Sequence, residues 1–112
     1  MQCKLKDILI AIPALSKLAR SDLTLKTAYH LQKTLSALQQ EADFFAAKRE
    51  ELLEKHKESE SDAQKALDEL LALEVEPDIS IVQVPITENI KLSPNDIGAL
   101  LPFIKIHEEE SL

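Results

Sequence analysis

From Ala28 to Leu52 the sequence contains neither glycine nor proline, and its apolar residues fall on one line. Ala28, Leu31, Leu35, Leu38, Ala42 and Phe45 follow spacings of 3, 4, 3, 4 and 3. Leu52 falls in step beyond them, and the polar Arg49 takes the core-type position between. A repeat of about 3.5 residues belongs to a helix that holds one narrow stripe against a neighbouring helix. The spacing predicts a helix over 23–57, roughly 50 Å long at helical rise, against an average of about three turns. In a chain of 112 residues such a stripe needs a cover, and the cover decides the architecture.

Turn chemistry narrows the choice further. The chain has one glycine, so tight turns with positive φ have almost no supplier, and a many-stranded β fold is excluded. The expected fold class is mainly α in a single domain. Its core is a long helical hairpin resembling a coiled coil, followed by a short extended C-terminal arm and a short terminal helix.

The flanking segments fill in that plan. Leu5, Ile8, Leu9, Ile12, Leu15 and Leu18 recur at helical spacing and predict a first helix over 4–20, kinked or broken at Pro13, whose ring nitrogen cannot donate. Ser21, Asp22 and Thr24 are each competent to cap the long helix. "HKESESDAQ" holds no apolar residue before Ala63, and its "SDAQ" is a capping-box pattern, so a turn and then a third helix over 61–73 are expected. The simplest arrangement folds that helix back as a hairpin; a continuous rod through Leu73 is the rival. "DISIVQVPI" is β-branched and bounded by Pro77 and Pro85, which predicts an extended arm over 78–92, with "ENIKL" as a second extended piece. Ser93 as N-cap, Pro94 in the first helical position and Asp96 in the first turn predict a short helix over 93–104, ended by Pro102. Residues 105–112 read as an acidic tail.

Charge and composition limit the function. The formal charge is −7, with 20 acidic and 13 basic residues that read as spread along the chain. That sign repels phosphate, so no nucleic-acid partner is expected. No apolar run approaches the ~18 residues of a membrane span, and "KLKDILIAIPAL" reads as a core helix, not a signal peptide, because Asp7 interrupts it. Cys3 is the one cysteine, so an oxidising compartment gains no support. His30, His56 and His107 stand far apart with no metal-ligand spacing, and no phosphate loop, CxxC, HExxH or nucleophile elbow occurs. No catalytic, cofactor-binding or metal-binding residues are therefore assigned.

What remains is an interface. The expected contact residues are the seam (Ala28, Leu31, Leu35, Leu38, Ala42, Phe45, Arg49 and Leu52), together with Phe44 and the arm residues Ile79, Ile81 and Val82. Phe44 is singled out because it points about 100° away from Phe45 and needs its own cover. The arm either packs on its own helices or adds to a sheet edge of another molecule.

Three elements carry a family resemblance. Lys26, Thr27, Ala28, Tyr29, Leu31 and Lys33 form the first, and Phe45, Arg49 and Leu52 the second. Leu92, Ser93, Pro94, Asp96, Leu100, Pro102, Phe103 and Ile104 form the third. Over residues 23 to 104 the chain resembles a group of small, uncharacterised helical proteins encoded by bacteriophages and prophages. The resemblance implies a phage setting, in the bacterial cytoplasm or the virion, and no chemistry, because these are packing motifs. The expected function is non-enzymatic protein–protein association, with copies of itself or with a phage or host protein. The competing expectation is a small acidic inhibitor or modulator of a host or defence protein.

Overall fold

A computed structural model describes residues 1–21, 23–86 and 91–108. In chain order these form β1 (Cys3–Lys4), α1 (Leu5–Ala19), α2 (Leu25–Lys55), α3 (Glu60–Leu71), β2 (Glu74–Val75), β3 (Val82–Ile86), α4 (Pro94–Leu100) and β4 (Ile104–Glu108). The fold is mainly helical, as expected, and long: its extents are 63 × 25 × 21 Å.

The long helix begins where the capping chemistry allows. Thr24 caps α2 by accepting from the backbone N–H of Thr27 at 3.3 Å, leaving Ser21 unused; Asp22 lies outside the described residues. The helix ends at Lys55, so the rival continuous rod is not formed. The cap of α3 is Ser59, not the expected Ser61: its side chain accepts from Asp62 N–H at 3.3 Å. Starting there gives α3 two acids in its first turn, Glu60 and Asp62, which suit the positive end of a helix.

α1 runs unbroken through Pro13, which sits on its exposed side, so the expected break into two short helices is not formed. Ile8, Ala11, Leu15 and Leu18 point the other way and are buried with Leu31 and Leu38 of α2 in one core.

The cover of the seam is thus divided. α1 packs on the N-terminal part of α2, and α3 returns along the C-terminal part. Between them the N–H of Leu5 donates to the carbonyl of Leu73 at 2.9 Å, and Cys3 pairs antiparallel with Val75. The end of α3 therefore abuts the start of α1, and one long helix is faced by two short ones in series.

A second layer closes the end of the rod where α1 and α2 begin their hairpin. β3 and β4 pair in parallel, Val82 with Ile104 through Ile86 with Glu108. Parallel strands need a long crossover, and α4 lies within it. Two expectations change here. α4 stops at Leu100 instead of running to 104, and residues 104–108 form a strand where an acidic tail was expected. The reason is burial: Phe103 and Ile104 enter the core beside Val82, Val84 and Leu100. Residues 109–112, and the part of the "ENIKL" piece at 88–90, lie outside the described residues. Ser93 and Asp96 form the expected capping box, at 3.1 Å in each direction, with Pro94 in the first turn.

Candidate partner interface

The structure sorts the expected contact residues by depth. Leu31 and Leu38 are 0% exposed, and Val82 is buried with them, so the chain's own core consumes all three. Leu35 and Ile79 pack partly buried against that core. Ala28, Ala42, Phe45 and Leu52 are half-buried, and Ile81, Phe44 and Arg49 are exposed. The seam therefore closes fully only where α1 and the β3–α4–β4 layer cover α2. Beyond the joint at Leu5 and Leu73 it is faced by α3, whose buried apolar residues are Ala63 and Leu70. Arg49, the polar residue at a core-type position, is exposed within the part of the seam that α3 faces. Phe44 receives no full cover within its own chain and stays 46% exposed.

The arm settles differently from a free strand. β3 is taken up by β4, and Val82 N–H donates to the carbonyl of Phe103 at 3.1 Å. In a parallel ladder this turns Gln83 and Pro85 to the opposite edge. Pro85 has no N–H to give there, so that edge is a poor site for strand addition.

Between the arm and α2 lies an open cleft of about 310 Å³, lined by His30, Lys33, Thr34, Asp78 and Ile81 among others. The Lys33 ammonium stands 5.7 Å from the centre of the Tyr29 ring, within cation–π range. Leu25 and Tyr29, one turn apart on the same face of α2, are 87% and 60% exposed. Neither residue lies on the seam, so neither was assigned to the interface; being apolar on an outer face was the signal that could have found them.

Among the described residues no group of three His, Cys, Asp or Glu is placed to hold a metal ion. Burial, then the nearby Asp7 carboxylate, pushes the Cys3 thiol above its usual range, which lowers the thiolate fraction that would react. No helix among the described residues is long and apolar enough to cross a membrane.

Charge is where the fold adds most to the sequence. Residues 41–76 contain 12 of the 20 acidic residues and 5 of the 13 basic ones, and so carry the whole net charge of −7. Within it the outer half of α2, the turn and α3, residues 41–71, hold 10 acidic and 5 basic residues, net −5; Glu74 and Glu76 follow beyond α3. The acids that read as spread along the chain are thus concentrated on the projecting helical hairpin. Two of the five cations there are engaged locally, Lys48 with Glu51 at 3.4 Å and Lys57 with Glu54 at 3.1 Å.

Comparison of the chain with protein-family models, with curated proteins and with solved structures gave no match.

Proposed function

We propose that this protein works by protein–protein association rather than by catalysis, as a phage-encoded helical protein with a structural or accessory role in virion assembly. The observation that carries the reading is the uneven seam. Leu31 and Leu38 are fully buried, whereas Phe45 and Leu52 on the same line are half-buried and Phe44 beside them is 46% exposed. Two helices in contact leave one flank of each uncovered, and helical bundles gain stability by adding further helices there. A partner on the outer hairpin would complete what α1 and the β3–α4–β4 layer complete at the other end.

The concentration of charge supports a second reading, a small acidic modulator of a host or defence protein, because a field of one sign steers association with a basic surface. Affinity capture from infected cells separates the two readings. Recovery with virion proteins supports assembly, and one stoichiometric host protein supports the modulator. A chain that stays monomeric by light scattering and recovers neither would sink both.

A further inference from the structure

We infer that the α2–α3 hairpin binds a basic amphipathic helix of another protein, seated on the flank of α2 that carries Phe44, Phe45 and Leu52. The inference rests on the association reading and names the partner's chemistry. Phe44, Phe45 and Leu52 lie within an arc of about 100° over about two turns, Phe45 and Leu52 on one margin, Phe44 on the other and Lys48 between. Phe44 is exposed, Phe45 and Leu52 are half-buried, and Lys48 between them is drawn to Glu51. An apolar strip of this width and length fits the face of one helix, which is the geometry of helix-in-groove recognition.

Charge selects among helices. The hairpin that presents the strip, residues 41–71, holds 10 acidic and 5 basic residues, net −5. A second copy docked hairpin to hairpin would set two such fields against each other, and like charges across an interface are costly. Nucleic acid is repelled by the same sign. A helix with leucine-like residues on one face and lysine or arginine on its margins meets both the strip and the field.

The test uses the full chain and two labelled synthetic peptides of equal length, one of leucine and lysine in amphipathic helical order, the other with glutamate in place of lysine. Fluorescence anisotropy should show the lysine peptide binding and weakening as salt is raised, with the glutamate peptide silent. Phe44→Ser leaves every charge in place and should weaken binding about tenfold, the loss typical of one contact residue at an interface. Tyr29→Ser, at the other end of α2, should leave binding unchanged. Equal binding of both peptides, no binding of the lysine peptide, or an unchanged affinity in Phe44→Ser would overturn the inference; the last would reveal bare charge attraction. Equal weakening by Tyr29→Ser would refute the assignment to the hairpin. If the protein still captures a partner from infected cells while the lysine peptide fails to bind, the inference falls and the association reading stands. If neither binds, both fall.

Discussion

The backbone N–H of Leu5 donates to the carbonyl of Leu73 at 2.9 Å, across a separation of almost seventy residues. That bond joins the first residue of α1 to the segment leaving α3. It satisfies an N–H that the first turn of a helix otherwise leaves without an intrahelical partner. It also places the negative end of one helix dipole against the positive end of another. Leu5 is fully buried at this joint. Leu5→Ala should therefore cost about 2–5 kcal/mol, the range for deleting a buried leucine side chain. Urea unfolding reads this directly. A loss well under 1 kcal/mol would mean that the joint contributes little to holding α3 and α1 in series.

The two ends of the rod should open unequally. Ile8, Ala11, Leu15 and Leu18 lie in one core with Leu31, Leu38, Val82 and Phe103, whereas the outer hairpin fully buries little beyond Ala63 and Leu70. Local opening is cheapest where few apolar contacts are lost. Amide exchange is expected to be fastest over 44–71 and slowest over 8–18 and 31–38. Uniform protection along α2 would contradict the burial pattern.

Pro13 gives a test of backbone energetics. It sits exposed inside a continuous α1, where its nitrogen makes no bond to the preceding turn. Replacing it with alanine should stabilise the protein by about 2–3 kcal/mol: helix propensity favours alanine by about 3 kcal/mol, and the looser unfolded chain returns up to about 1. The melting temperature should rise. A fall would show that the lost helical bond at Pro13 is outweighed by the restriction it places on the unfolded chain.

How far the fold was legible follows from which signals are local. The start of α2 at Thr24 and the Ser93–Asp96 box depend on residues three apart, and both are written in the sequence. β4 was missed because its alternation, with Ile104 and Ile106 inward and Lys105 and His107 outward, is short and runs into an acidic stretch. Its pairing with β3 is parallel and distant, so no turn announces it. The candidate interface was half legible for a different reason. Periodicity states that Leu31 and Leu38 are covered, but not whether the cover comes from the same chain. Two short helices in series were needed to cover one long one, and that series shows only in the long-range contacts of Leu5 with Leu73 and Cys3 with Val75.

Asp96 should make the position of α4 depend on pH. The Ser93 backbone N–H donates to its carboxylate at 3.1 Å, and the Lys17 ammonium lies 3.0 Å away, tying α4 to α1. Both hold the carboxyl below its usual range, the Ser93 bond first. A carboxyl depressed in the folded state adds stability above its unfolded pKa of about 3.9, and that stability is lost as pH falls through the lower folded value. Asp96→Asn should thus lower the unfolding midpoint at neutral pH. The gap between variant and parent should close in the acid range below about pH 4. A gap that persisted there would mean that the effect is steric and not electrostatic.

The depth of the seam supplies the most direct comparison, because two leucines on neighbouring turns of α2 differ in burial and a nearby lysine lies outside. Leu38 is wholly buried, Leu35 is partly buried against the core, and Lys33 is exposed beside Tyr29. Leu38→Ala should cost about 2–5 kcal/mol, with a residual cavity among α1 and α2 side chains that cannot fully collapse. Leu35→Ala removes the same atoms, but solvent already reaches the site, so its loss should be clearly smaller. Lys33→Ala gives up one surface cation–π contact worth about 0.5–1 kcal/mol. The order Leu38, Leu35, Lys33, read from urea midpoints, follows from α1 lying over α2 within one chain. Were Leu35 to cost as much as Leu38, and both to depend on protein concentration, the missing cover at Leu35 would come from a second molecule.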